Sequence, residues 1–151
     1  MNPGPDISGR QGFTLIELIA LLAIISIFTA VAATSSMDMT AQSELAAQVA
    51  MVKSHIHFAQ MMAMESNVSW GIDFSGSSYI LEENGSAAPS FFPGTGSNTY
   101  ALPGGITIST SSSQLVFDEW GSPGPNDTTI TLTGEGGSTT LTVNKMTGSV
   151  T

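Results

Sequence analysis

The chain has 151 residues, room for about one domain at ~100–200 residues each, and its 12 acidic against 3 basic residues give a net charge of −9. Three cations cannot form the clustered basic surface that neutralises phosphates, so DNA and RNA are set aside as partners. The absence of cysteine excludes disulfides, thiolate zinc sites, iron–sulfur clusters and cysteine nucleophiles, and leaves the redox compartment open.

The first element is apolar. Leu18 to Met37 is a run of 20 residues without Asp, Glu, Lys or Arg. As a helix rising ~1.5 Å per residue it is about 30 Å long, the thickness of a bilayer core. A secretory signal peptide is the competing reading, with Arg10 as its basic flank and Ala30-Val31-Ala32 as its small-residue cleavage site. The length of the run and the carboxylate of Glu17 at its start weigh against it. An acid costs ~2.5–3.5 kcal/mol at the centre of an inserted helix, so Glu17 either snorkels to the interface or has a partner or a task.

The residues around that acid are Gly12-Phe13-Thr14-Leu15-Ile16-Glu17-Leu18, preceded by a short hydrophilic leader. This stretch resembles the class III signal of type IV prepilins and type II secretion pseudopilins. The resemblance implies cleavage after Gly12 by a prepilin peptidase and N-methylation of Phe13. Glu17 then becomes the assembly residue, pairing with the α-amine of a neighbouring subunit. Cutting before the apolar run leaves the helix attached as a membrane anchor and, later, a filament core. The leader departs from the family in carrying Asp6 and a single base, Arg10, which weakens the positive-inside signal without reversing it. No Gly or Pro lies between Gly12 and Gly71, so the helix has no fixed kink.

Beyond the apolar run, Leu45, Val49, Val52, Ile56, Ala59 and Ala63 recur at helical spacing, which predicts an amphipathic continuation to about Ser66. From Phe13 the whole helix is then ~80 Å long. Its polar face carries Gln42, Glu44, Gln48, Lys53, Ser54 and Gln60. The group Met61, Met62 and Met64 reads as adaptable packing rather than a soft metal site. His55 and His57 point about 200° apart on a helix, so they lack the paired spacing of a helical zinc site, and both read as surface or boundary residues.

From Val68 to Thr151, 40 of 84 residues are Ser, Thr or Gly, in short alternating runs. This predicts a β-rich head with strands over 68–74, 79–83, 106–110, 114–117, 128–133 and 139–144. Gly134-Glu135-Gly136-Gly137 reads as the turn joining the last two strands, whose apolar face covers the amphipathic helix. Between Asn84 and Gly105 a loop carries Phe91-Phe92-Pro93, either as a contact surface or folded back on the head. The order of Trp70-Gly71-Ile72-Asp73-Phe74, then Phe117-Asp118-Glu119-Trp120-Gly121-Ser122-Pro123, then a hairpin and Thr147-Gly148-Ser149-Val150 resembles the head of GspH/FimT-type minor pseudopilins and related minor pilins.

The fold class expected is α+β: a leader over 1–12, a transmembrane or filament-core helix over 13–37, an amphipathic helix over 38–66 and an antiparallel β-rich head over 67–151, the pilin fold. No nucleophile elbow or phosphate-binding loop is present, so no catalytic residue, enzyme activity or cofactor is expected. The weak metal candidates are Asp118, Glu119 and Asp127, which could offer oxygens to calcium. The resemblance implies a structural subunit of a type II secretion pseudopilus or a type IV pilus. Its partners are other pilin or pseudopilin subunits, the prepilin peptidase, an inner-membrane assembly platform and, before assembly, membrane lipid. Its place is the bacterial inner membrane, crossed once with the head in the periplasm, and then the filament. Two other readings are a minor pilin that binds DNA for uptake and an exported soluble β-protein with an ordinary signal peptide.

Overall fold

The computed structural model describes residues 12–151, with side chains for all of these except 32–38. The expected leader therefore lies outside the described residues, apart from Gly12. The chain divides into two compact units, Met1–Met37 and Asp38–Thr151.

The first element, α1, is the 52-residue helix Leu15–Ser66. Thr14 caps its start: the Glu17 amide donates to the Thr14 carbonyl at 3.1 Å and to Thr14 Oγ1 at 3.3 Å. Thr14-Leu15-Ile16-Glu17 has the Thr-x-x-Glu spacing of a capping box, and the acid stands at the positive end of the helix dipole. At the other end Asn67 adopts the left-handed conformation (φ 57°), which terminates the helix. Ser66 Oγ donates to the Met62 carbonyl and accepts from Trp70 Nε1 at 2.7 Å, tying the helix end to the first strand.

Eight strands follow in the second unit: β1 Trp70–Ser75, β2 Ser78–Glu83, β3 Ser86–Ala87, β4 Thr99–Ala101, β5 Thr107–Thr110, β6 Gln114–Phe117, β7 Thr128–Gly134 and β8 Gly137–Val143. They form two antiparallel sheets. One has the order β3-β2-β1-β6, with β4 also paired to β2, and the other has the order β5-β7-β8. Strand alternation sends Ile130 and Leu132 of β7 and Leu141 and Val143 of β8 inward, and their threonine neighbours mostly outward. Val150 bridges back to Val143, so the chain end closes on β8.

One apolar cluster joins the helix to both sheets. Leu45, Val52, Ile56, Ala59 and Ala63 pack with Trp70, Ile72, Leu81, Leu115 and Phe117 from the first sheet and Ile108, Ile130, Leu132 and Val143 from the second. Val49 is partly buried at its edge. The six expected strands are all present, each end within two residues of its expected place. Two short strands, β3 and β4, occupy what was expected to be loop between Asn84 and Gly105. Asn84 (φ 52°) and Gly85 (φ 71°) make the tight turn into β3, the Asn-Gly pair that favours such hairpins.

Candidate functional site

The N-terminal segment is built as an exposed apolar rod behind a capped start. Phe13 is 80% exposed, and Leu15, Ile16, Leu18, Ile19, Leu21, Leu22, Ile24, Ile25, Ile27, Phe28 and Val31 are exposed in turn, so apolar side chains cover every face of this part of α1. A helix that is apolar all round belongs in a core, a bilayer or a bundle of other helices. Its hydroxyls are satisfied internally: Ser26 Oγ donates to the Ala23 carbonyl at 2.7 Å, and Thr29 Oγ1 donates to the carbonyls of Ile25 and Ser26 at 3.0 and 2.9 Å. Such back-bonding removes the cost of placing hydroxyls in an apolar medium.

Among the described residues no helix is long and apolar enough to cross a membrane. The part of the charge-free run with described side chains, 18–31, spans only about 21 Å at ~1.5 Å per residue. The rest of the expected span falls on residues 32–37, outside that description, as does Ala32 of the alternative cleavage site.

Gly12 and Phe13 precede the helix as irregular backbone and are exposed. A Cβ added at Gly12 would meet nothing within 4 Å. The fold itself therefore places no demand on glycine there. Glu17 is exposed four residues beyond Phe13, on the first turn.

On the second part of α1, one expectation is corrected. His55 is not a surface residue but fully buried, because it shares the apolar stripe: it lies three residues after Val52 and four before Ala59. Its Nδ1 is 2.8 Å from the Tyr79 hydroxyl, and its ring stacks on Phe92 at 4.2 Å and meets Tyr100 edge-on at 5.2 Å. Burial holds His55 below the ordinary imidazole value, opposed in part by the Pro93 carbonyl, although Nε2 has no partner in hydrogen-bond geometry. Burial also pushes Tyr79 upward, with Tyr100 adding to the shift. His57 is exposed, as expected.

The methionine group divides as well. Met62 packs against the core, whereas Met61 and Met64 are exposed. Within Phe91-Phe92 the two open alternatives are each realised once, with Phe92 buried against His55 and Phe91 exposed.

The acids Asp118, Glu119 and Asp127 are not brought together as a ligand set. Among the described residues no group of three His, Asp or Glu could hold a metal ion. Asp118 Oδ1 instead accepts from the amides of Trp120 and Ser122 at 3.0 and 2.8 Å, and Asp127 Oδ1 accepts from the Lys145 amide at 2.8 Å. Both carboxylates hold turns. Sequence reasoning missed Gln60, whose Nε2 donates to the carbonyls of Gly121 and Thr147 at 2.9 and 2.8 Å. Its place on the polar helix face gave no sign of that reach.

Comparison with known proteins bears on both parts of the chain. Residues 48–147 match the family of the type II transport protein GspH, and residues 7–33 match the prokaryotic N-terminal methylation motif. The fold is similar to that of the minor pseudopilin EpsH from the type 2 secretion system of Vibrio cholerae, at 12% identity and a TM-score of 0.57, over 72% of this chain and 94% of that one. It is also similar to the type IV minor pilin FimU of Pseudomonas aeruginosa PAO1, at 13% identity and a TM-score of 0.51, over 78% and 89% of the two chains. No curated protein sequence matches. The family is structural rather than enzymatic, and its methylation motif implies pilin-type anchoring, processing by a prepilin peptidase and assembly with other pseudopilins. With residues 48–147, the end of α1 and most of the β-rich head, matching the family model and the methylation motif running into the exposed apolar part of α1, the chain belongs to the GspH family of type II secretion minor pseudopilins.

Proposed function

We propose that the Gly12–Phe13 bond is the processing site, that Phe13 carries the methyl group and that Glu17 is the assembly residue of this subunit. The observation that carries the reading is the position of the Gly12–Phe13 bond: it lies just before α1, whose apolar side chains from Leu15 to Val31 are exposed on every face. Hydrolysis of the Gly12–Phe13 amide leaves a carboxylate on Gly12 and an α-amine on Phe13. Methylation of that nitrogen keeps it basic and cationic. The helix then stays on the product, anchoring it in the inner membrane with its head in the periplasm until neighbouring helices replace lipid around it.

Among apolar helices a lone carboxylate or a lone ammonium is strongly disfavoured, and pairing the two relieves both. Four residues separate Glu17 from the new amine, so a one-turn axial offset between subunits brings the acid of one to the amine of the next. The pair therefore selects the register in which the helices stack. Replacement of Glu17 by Ala should leave cleavage intact and exclude the chain from sheared filaments, measured by immunoblot of the filament fraction. Incorporation equal to wild type would remove the assembly role from Glu17.

A further inference from the structure

Two turns of the head hold large apolar side chains out in solvent. In the first, 118–122, the Asp118 amide donates to the Ser122 carbonyl at 3.0 Å and the Gly121 amide to the Asp118 carbonyl at 2.9 Å, in addition to the two amides that Asp118 Oδ1 accepts. Trp120, at its tip, is 77% exposed. In the second, 144–148, Asn144 Oδ1 accepts from the amides of Met146 and Thr147 at 2.9 and 3.2 Å, and the Gly148 amide donates to the Asn144 carbonyl at 2.8 Å. Met146, at its tip, is 76% exposed.

The turns are fastened to each other. Gln60 bonds a carbonyl of each, and Ser122 Oγ donates to the Lys145 carbonyl at 2.9 Å. Met64 lies against the first turn, with its Sδ 2.9 Å from where a Cβ on Gly121 would stand. Trp120, Met146 and the exposed Met64 thus occupy one cross-tied corner. An isolated exposed apolar residue is ordinary, but three on one rigid corner are not. The other tryptophan, Trp70, is by contrast buried and bonded to Ser66. A turn whose backbone is already held in one conformation loses little entropy on docking, and tryptophan is among the residue types most often central to such contacts.

Charge indicates the occupant. Exposed Glu119 adjoins Trp120 and exposed Glu65 adjoins Met64, with Lys145 beside Met146. Two exposed acids beside the apolar tips, on a molecule of net charge −9, favour a partner whose facing surface is basic over a second, equally acidic copy of the chain. We propose that the Trp120–Met146–Met64 corner is the docking surface for the head of a different filament subunit, one that offers an apolar pocket rimmed by Lys or Arg. The proposal rests on the assembly reading given above.

The test is site-specific photocrosslinking in the native assembly. The full chain carries benzoylphenylalanine at position 120 or, as a control, at the exposed Thr140 on β8, and crosslinked products are identified by peptide mass spectrometry. The expected result is a single adduct, from position 120 only, to a Lys- or Arg-flanked peptide of another filament subunit. With the probe moved to the exposed Ser149, which follows the second turn, W120A should lower adduct yield roughly tenfold or more, as loss of a central anchor does, while the thermal midpoint of the head is unchanged. Adducts to a second copy of this chain, to lipid or to nucleic acid would overturn the proposal, as would none from a chain that is cleaved and incorporated. A chain left uncleaved would overturn the assembly reading, and the docking surface with it.

Discussion

Gly12 and His55 show two opposite kinds of constraint on a single residue. Around Gly12 the chain leaves open space, so any requirement for glycine comes from the peptidase and not from folding. G12V should therefore abolish cleavage and leave the thermal midpoint of the head unchanged, read by gel mobility of the precursor and by calorimetry. For His55 the constraint is internal. Its ring is enclosed by Phe92, Tyr79 and Tyr100, and the titratable groups facing it are the two tyrosines, neither of which offers a negative charge near neutral pH. Its folded pKa lies below the ordinary 6.5 because burial disfavours the cation. The folded head thus binds fewer protons than the unfolded chain, so its stability is complete above about pH 6.5 and falls as the pH is lowered through that value. Glu82 shifts the other way, upward through burial and the nearby Asp73, and so favours the folded state only in the lower, carboxylate range. The thermal midpoint should drop between about pH 7.5 and pH 5.5, and His55→Gln should flatten that dependence. An equal slope in the variant would assign the effect to other groups. The burial of His55 was legible from its spacing to Val52 and Ala59, a pattern that outweighs the polarity of the residue type.

Among the elements, the helix and the six longer strands were readable because hydrophobic periodicity records burial directly. The two short strands were not: Ser86–Ala87 and Thr99–Ala101 hold no alternating apolar run, and only the Asn84-Gly85 turn marked the first of them. The cross-tie through Gln60 was equally hidden, since a polar residue beside an apolar stripe looks the same whether it meets water or a distant carbonyl. The β7–β8 turn shows how closely an element can be fitted to the helix. A Cβ on Gly136 would stand 2.6 Å from the backbone carbonyl of Ala41, an approach only glycine permits. G136V should destabilise the head by about 1–3 kcal/mol, the usual cost of overpacking, measured by urea denaturation. A change below about 0.5 kcal/mol, the size of an ordinary surface substitution, would show that the hairpin and helix yield easily.

For the whole molecule, the 41% hydrophobic content resolves into two uses. Residues 45–150 supply a shared core for a helix and two sheets, while the apolar residues of 13–31 are left exposed along α1. That contrast is what a subunit needs when its head must stay in solution and its helix must be transferred from lipid into a filament. The acid excess has the same division: removal of residues 1–12 takes one Arg and one Asp, leaving 11 acids and 2 bases and an unchanged charge of −9, of which Glu17 alone lies on the apolar segment. On this reading, processing occurs at the near end of the apolar run and keeps it. Mass spectrometry of the N-terminal peptide from the membrane and filament fractions tests this most directly. The mature chain should begin with N-methylated Phe13. A chain beginning near Ala33, or one that retains Met1 in the assembled filament, would contradict it.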